Sequence, residues 1–457
     1  MTLPKRSCMK VTGLALACSS LLFSCVPKEV SQVNLIPKPA HIEVTGGYFK
    51  VDSNLVFGND QSGTIRYVVD ESFNGGNPEG YALNVTKKGI ELRAASKSGL
   101  FYGEQTLRQL YTSKGIPCVS IQDNPRFPYR GLHLDVSRHF FPKEEVMKLL
   151  NVMSYYKLNT LHMHLTDAGG WRIQMDKYPK LTTDVAFRTE SDWQKWWDGK
   201  DRKYLPEGTP GAYGGYFTKE DIREIVDYAT ARHINIIPEI EFPGHSDEVF
   251  VAYPELSCAG KPYTTGDFCI GNEKSFTFME DVLSEVIELF PSEYIHIGGD
   301  EAGKGAWKTC PKCQGLMRRN GMKDVDELQS YMIHRAEKFL ISKGRKLIGW
   351  DEILEGVSWE EASERPGYLY QIEVQLLDEN GKEVRWQEKK IRVKAEGAGE
   401  LAGLESGNLS DGLENALTES CRTFAGQLLV FVRRKTEGEI SVKIQAENCP
   451  EVSMRFT

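Results

Sequence analysis

Glu293-Tyr294-Ile295-His296-Ile297-Gly298-Gly299-Asp300-Glu301 is the stretch on which the reading of this chain turns. Ahead of it, Phe276, Met279, Val282, Leu283, Val286, Ile287 and Phe290 recur every three or four residues, which predicts an amphipathic helix that Pro291 stops. Tyr294 to Ile297 alternates little, the pattern of a short strand buried on both faces. Two glycines then let the backbone approach a ligand closely, and two carboxylates arrive side by side. Adjacent acids at the end of a buried strand are costly to desolvate unless they have a task. An aspartate capping the next helix would explain one acid. The pair, followed by Ala302 and Gly303, points to an enzyme.

Working outward, the same strand-then-helix rhythm begins at Arg130, the signature of a parallel α/β architecture. The predicted strands are Arg130 to Val136, Asn159 to Thr166, Ile234 to Ile240, the opening stretch, and Lys346 to Trp350. Helices are predicted from about Lys143 to Lys157, from the capping-box-like Thr218-Lys219-Glu220-Asp221 to Arg232, and from Asp324 to Lys343. A Trp-rich excursion, Trp171 to Tyr216, interrupts the second repeat. Polar residues gather where each strand ends, at Ser137-Arg138-His139, Thr166-Asp167, Glu239 to His245, Asp300-Glu301 and Trp350-Asp351-Glu352. In a (β/α)8 TIM barrel that is the catalytic rim.

The flanks differ. Residues 26–126 are expected to form an α+β domain. Short strands are predicted at Leu35 to Pro39, Tyr48 to Val51 and Leu55 to Phe57, with a hairpin from Tyr81 to Ala94 and a helix from Gly99 to Tyr111. After Gly356 the repeat stops, and residues 366–457 read as a small β-sandwich with strands at Leu369 to Leu377, Ile391 to Ala395, Leu428 to Val432 and Ile440 to Ile444. Asp378-Glu379-Asn380-Gly381 is a hairpin-turn signal between them.

With 457 residues, 26% charged and 40% hydrophobic, the chain has the composition of a multidomain globular protein. Its net charge of −8 gives no reason to expect a nucleic-acid partner. Lys5, Arg6 and Lys10 precede an apolar run from Val11 to Phe23 that is too short to span a bilayer. Leu22-Phe23-Ser24-Cys25 resembles a bacterial lipobox, with Cys18 a second candidate. Residues 1–25 are therefore expected to be a lipoprotein signal peptide and Cys25 the lipidated residue. The protein would be exported and held at the periplasmic or cell-surface side of a bacterial membrane by that anchor alone. A plain secretory signal is the alternative. Among the ten cysteines, Cys258 and Cys269 flank a Gly-Pro-Thr loop and are the expected disulfide. Cys310-Pro311-Lys312-Cys313 has the spacing of half a zinc site, but no second pair stands at a suitable spacing, so neither a metal nor any other cofactor is expected.

Five strand-end motifs resemble those of the family 20 β-N-acetylhexosaminidases, in that family's order over about residues 35–356. They are Arg130-Gly-Leu-His-Leu-Asp-Val-Ser-Arg-His139, Leu161-His-Met-His-Leu-Thr-Asp167 with Trp171-Arg172, Pro238-Glu-Ile-Glu-Phe-Pro-Gly-His245, His296-Ile-Gly-Gly-Asp-Glu301 and Gly349-Trp-Asp-Glu352. The resemblance implies a substrate ending in an N-acetylhexosamine whose own acetamido oxygen attacks the anomeric carbon. By resemblance, Glu301 is the general acid and base, and Asp300 orients and stabilises the acetamido group. Arg138 is expected on the sugar hydroxyls, Asp167 and His245 in a network beside the acid, and Trp350 and Asp351 at the pocket rim. Residues 127–357 would then be the catalytic barrel, incomplete after its fifth strand, because no further family motif follows Gly356. Two smaller departures are Ala168-Gly169-Gly170, where another Asp and a Gln are common, and Glu241, where Asp is usual. The tail, especially Glu396 to Asp411, resembles the immunoglobulin-like C-terminal domain of family 2 glycosidases. Three readings follow: an exo-acting hexosaminidase, a non-catalytic carbohydrate-binding remnant, and a β-galactosidase-like enzyme that rests on the tail alone. Linkage, the choice between GlcNAc and GalNAc, and oligomeric state stay open.

Overall fold

The computed structural model describes residues 33–51, 64–200, 202–355, 367–407 and 418–456. Cys25, the strand expected at Leu55 to Phe57 and most of the polar segment after Gly356 lie outside them.

Five strands, Gly131–Asp135, Thr160–His164, Asn235–Glu239, Tyr294–His296 and Lys346–Ile348, form one sheet in which each strand pairs with the next in the chain. Every pairing is parallel. Between successive strands run the helices Lys143–Tyr155, Lys219–Thr230, Glu273–Leu289 and Val325–Ser342. The starts of the last three follow from side-chain caps. The Thr218 hydroxyl accepts from the Asp221 amide at 3.1 Å while the Asp221 carboxylate accepts from the Thr218 amide at 3.0 Å, so two otherwise orphaned donors are satisfied. Asp324 caps the last helix by accepting from the amides of Asp326 and Glu327.

The register decides what this sheet can do. Asp135, His164, Glu239, His296 and Ile348 fall on one row across it, and His133 pairs with His162 two residues earlier. Side chains two apart on a strand share a face, so one face carries His133, Asp135, His162, His164, Glu239 and His296 together. The alternate positions, Leu161, Met163, Ile236 and Ile295, are buried and apolar. One face thus supplies the core and the other a polar interior.

The described residues up to Arg130, together with Leu149 to Asn159, form a separate compact unit. Its sheet has the order His41–Phe49, Ile116–Asp123, Tyr81–Thr86, Gly89–Ala94, Ile65–Val69, antiparallel except for the last pair. Helix Lys97–Leu110 packs on it, and Gly103 permits the approach, since a Cβ there would sit 2.3 Å from Leu92 Cδ1. The strands expected at Leu35 to Pro39 and Tyr48 to Val51 are replaced by His41–Phe49. Pro37 and Pro39 cannot donate to a ladder, so the strand begins after them.

The C-terminal residues form two antiparallel sheets that share one apolar core including Ile372, Val393, Leu404, Val430 and Val442. Leu369–Gln375, Gln427–Arg434 and Gly399–Glu405 make the first; Ser420–Arg422, Lys390–Gly397, Ile440–Ala446 and Val452–Phe456 make the second. The turn at Asp378 to Gly381 closes only a single bridge, Leu377 to Glu383, and Leu369–Gln375 pairs instead with Gln427–Arg434. Turn chemistry identified a reversal, but burial of Tyr370 and Ile372 chose the partner strand.

Candidate active site

Asp300 and Glu301 leave the fourth strand through Gly298 and Gly299, whose φ angles of +66° and +100° only glycine adopts at little cost. A Cβ on Gly298 would lie 1.8 Å from a Glu241 carboxylate oxygen, so the close approach also requires glycine. Glu301 itself has φ +47°, which turns its side chain back beside that of its neighbour. Successive strand residues face opposite ways; this left-handed turn brings both carboxylates to one point. That point is His245. Its Nε2 lies 3.5 Å from Asp300 Oδ2 and 3.4 Å from Glu301 Oε2, and its Nδ1 lies 3.3 Å from Asp167 Oδ2.

Asp167, almost wholly buried, is the hub. It also takes Arg138 at 2.5 Å and His164 at 3.2 Å. Burial alone would raise its pKa, but His164, His245 and Arg138 bring it down to about 2. Burial likewise opposes charge on His245, yet Asp167 and Asp300 lift it to about 11. At neutral pH the imidazolium therefore sits between Asp167 and the acid pair. Glu301 projects from this rigid base with its side chain 75% exposed, open to a ligand. Asp300 Oδ1 is buried and has no hydrogen-bond partner among the described residues, a free acceptor beside the acid. The arrangement can hold a donor on Asp300 and move a proton through Glu301 at the same ligand.

The profile of the glycosyl hydrolase family 20 catalytic domain matches residues 127–392, more than half of the chain. The chain belongs to glycosyl hydrolase family 20. The family's domain 2 matches residues 57–124, and glycoside hydrolase family 2 C-terminal domain 5 matches residues 362–455. The beta-hexosaminidase of Porphyromonas gingivalis is 36% identical over 401 residues, covering 75% of this chain and 49% of the relative. That of Vibrio furnissii is 37% identical over 390 residues, covering 76% and 61%. Among solved structures, the beta-N-acetylhexosaminidase from Bacteroides fragilis superposes with a TM-score of 0.59 at 30% identity, covering 71% of this chain and 67% of that one. A family 20 exo beta-N-acetylglucosaminidase from Vibrio harveyi, in complex with N-acetylglucosamine, gives 0.60 at 32% identity, covering 71% and 56%. The chain thus spans roughly half to two thirds of these curated relatives. Family 20 membership makes the parallel sheet part of a TIM-barrel-type catalytic domain preceded by an N-terminal domain.

Within this family 20 site the structure joins Arg138, Asp167, His245, Asp300 and Glu301 into one polar cluster. Arg138 is held by Asp135 at 2.9 Å as well as by Asp167, with its side chain 30% exposed. Trp350 borders the interior below: its indole N–H donates to Glu239 Oε1 at 2.9 Å and its ring meets His296 edge-on. Asp351 stands apart, exposed at the start of the turn Asp351–Leu354. Trp171 and Trp196 are buried in packing, and Trp197 is partly exposed. The loop that carries the first two is pinned by Arg172, fully buried, whose guanidinium donates to the carbonyls of Ser137, Gly169 and Gly215, and by Arg188, which donates to Gly169 and Arg138 carbonyls.

The residues that motif reading passed over lie one layer deeper. Glu239, with no exposed surface, accepts from His164 at 2.6 Å, faces His162 at 3.0 Å and His296 at 2.9 Å, and receives the Trp350 N–H. Burial would raise its pKa, but His133 at 3.4 Å, together with His162, His164 and His296, holds it well below the usual carboxylate range. His164 is in turn raised to about 10, burial being outweighed by Asp167 and Glu239. The alternation His162-Met163-His164 was the signal available, since a histidine at every second strand position marks a polar interior face.

Glu241, where Asp is usual in the family, is buried with neither oxygen hydrogen-bonded among the described residues. Burial first, then the negative charges of Glu239, Asp300 and Asp167, push its pKa well above the ordinary value. A carboxyl whose pKa is raised by folding contributes stability that is present below the unfolded value and lost as pH rises. Glu241→Gln is therefore expected to gain stability over the parent by about 1.4 kcal/mol per pH unit above pH ~4.3, up to the folded pKa. Thermal midpoints of both proteins from pH 5 to 8 check this. Parallel curves would mean that Glu241 is already ionised.

The expected Cys258–Cys269 disulfide is corrected by the structure: both are free thiols, and both lie beside Cys310 and Cys313. The second pair that spacing did not reveal is this one, separated by ten residues rather than two to four.

Proposed function

We propose that this protein is an exo-acting β-N-acetylhexosaminidase that releases terminal GlcNAc or GalNAc from glycans with retention of configuration. The observation that carries the reading is the convergence of Asp300 and Glu301 on His245, with Asp300 Oδ1 left as a buried free acceptor. Family 20 membership and relatives described as beta-hexosaminidases support it. In the first step the substrate's acetamido oxygen attacks the anomeric carbon, and Glu301 gives its proton to the departing glycosidic oxygen. Asp300 accepts the acetamido N–H and offsets the positive charge of the oxazolinium that forms. In the second step Glu301, now a carboxylate, takes a proton from the water that attacks the anomeric carbon and reopens the ring. Two carboxylates at one point cannot straddle the bond as acid and opposing nucleophile, which suits a nucleophile supplied by the substrate. Arg138 offers its guanidinium fork to ring hydroxyls, and Trp350 borders the pocket.

A second reading has its own observation. The described parallel sheet has five strands, with Gly131–Asp135 at one edge and Lys346–Ile348 at the other. We infer that the barrel of residues 127–357 is incomplete, that 26–126 is the accessory α+β domain, and that 366–457 is an immunoglobulin-like β-sandwich. An open barrel lacks pocket walls that later strands would supply, so a catalytically impaired, carbohydrate-binding protein is the alternative. We also propose that Cys25 carries a lipid anchor at the periplasmic or cell-surface side of a bacterial membrane; incorporation of labelled palmitate that Cys25→Ser abolishes is the expected result. No described helix is long and apolar enough to cross a membrane.

The deciding experiment is hydrolysis of an aryl β-N-acetylglucosaminide by the purified chain, with Asp300→Ala beside it. Turnover by the parent and its loss in the variant is the expected result. Soluble, folded protein without turnover would favour the binding remnant.

A further inference from the structure

Four cysteine sulfurs meet beside the acid-bearing loop. Cys258 Sγ lies 3.7 Å from Cys313 Sγ, and Cys269 Sγ lies 3.7 Å from Cys310 Sγ and 3.8 Å from Cys313 Sγ. All four sulfurs are within 4.8 Å of one another. A tetrahedral zinc ion with Zn–S bonds of about 2.3 Å requires sulfurs about 3.8 Å apart. Paired disulfides would bring each sulfur to about 2.0 Å of a single partner. Here Cys313 is almost equally far from Cys258 and Cys269, which is a tetrahedron's geometry rather than a pair's.

The surroundings are built for thiolates. Cys310 is the N-cap of helix Pro311–Asn320 and Cys313 lies in its first turn, where the helix dipole favours negative charge. The Gly271 N–H points at Cys313 Sγ at 3.3 Å, and a Cβ on Gly271 would lie 2.1 Å from the Lys312 carbonyl carbon, so the approach requires glycine. An antiparallel β-bridge between Ser257 and Phe268 ties the two arms of the loop together and leaves Cys258 and Cys269, one residue past it on each arm, diagonal to each other on one face. It does for a ten-residue loop what a two-residue knuckle does for Cys310 and Cys313. Cys269, Cys310 and Cys313 are buried.

We propose that Cys258, Cys269, Cys310 and Cys313 bind one zinc ion as a closed four-thiolate site. Loading replaces the thiol protons with four sulfur–zinc bonds, and no position on the metal is left for substrate, so the ion is structural. Its place in the fold gives its task. The loop that carries Cys258 and Cys269 also carries Asp267, whose carboxylate accepts from the amides of Gly303 at 3.0 Å and Lys304 at 3.1 Å, just past Glu301. Trp307 in the same following segment donates to the Phe268 carbonyl at 2.8 Å. The metal completes this staple between the loop after the third strand and the segment after the acid pair. It fixes the backbone that presents Glu301 without touching the chemistry.

The test is metal analysis of the full chain purified without chelator, followed by cobalt substitution of the reduced, zinc-stripped protein. About one zinc per chain is expected. Cobalt should give the intense visible bands of a tetrahedral ion together with sulfur-to-cobalt charge transfer in the near ultraviolet. Zinc should restore a thermal midpoint lowered by stripping. Cys310→Ser and Cys313→Ser should lose the charge-transfer band's four-thiolate intensity and stoichiometric zinc, while Cys118→Ser, outside the cluster, keeps both. Peptide mapping that finds two disulfides among these four cysteines, iron in place of zinc, or reduced protein that binds cobalt without charge transfer would each overturn the assignment. Because cobalt is read on the parent chain, a variant that fails to fold does not decide the matter.

Discussion

Glu301→Gln is expected to lower kcat/KM for oligosaccharide substrates by about 10²–10⁴-fold, the usual contribution of a positioned general acid. A sugar leaving group departs as an alkoxide unless it is protonated, and Glu301 is the carboxyl that reaches out of the cluster. Glutamine keeps the size and polarity of the side chain at φ +47° and removes only the transferable proton. A 4-nitrophenyl glycoside needs little protonation, so its first step should suffer far less. The comparison of the two substrates separates acid catalysis from damage to the pocket. Equal losses on both, or retained turnover of the oligosaccharide, would remove Glu301 from the role. On the proposed mechanism Asp300 should behave differently: its loss would withdraw support from the acetamido group and slow both substrates.

Glu239→Ala should be the most destabilising single change in the barrel interior, by about 3–5 kcal/mol. For a domain of this size that corresponds to a fall in thermal midpoint on the order of 10 °C. Glu239 has no exposed surface and is the shared partner of His162, His164, His296 and Trp350. Without it, a charged His164 stays buried with Asp167 as its remaining close anion. The pH dependence gives an independent readout. His164 is raised to about 10, so its contribution is fully present below pH ~6.5 and is lost as pH climbs through 10. Asp167, lowered to about 2, contributes above pH ~3.9 and loses that contribution as pH falls. In Glu239→Ala the alkaline loss should shrink, because His164 then titrates closer to its ordinary value. Urea midpoints from pH 6 to 10 would falsify the charged description if parent and variant lost stability in parallel.

These two glutamates mark how far one-dimensional reading reaches. Glu301 was legible because its signal is local: a buried strand, two glycines and two acids occupy nine consecutive residues, and the strand's end alone permits neighbouring carboxylates to share a site. The five parallel strands were legible for the same reason, each being a short run whose signal is local. Thr218 and Asp221 formed the capping box that their spacing announces. Arg138, Asp167 and His245 were placed by motif; their meeting with the acid pair in one cluster is a feature of the tertiary structure.

What the chain order could not convey is convergence between strands. Glu239 looked like one of several acids near a strand end; register with His164 and His296 made it the centre of the interior. The strand partners of the C-terminal sheets were settled by which faces could be buried together, not by the strongest turn signal. The cysteines show the limit most plainly. Cys310 and Cys313 carry their relation in their spacing, because one helical turn fixes the distance between them. Cys258 and Cys269 reach the same point only through a β-bridge and a loop tied to the segment after the fourth strand. Local propensity acts over a few residues and can be read in a line, whereas a site assembled from distant segments exists only once packing has paid the entropy of bringing them together.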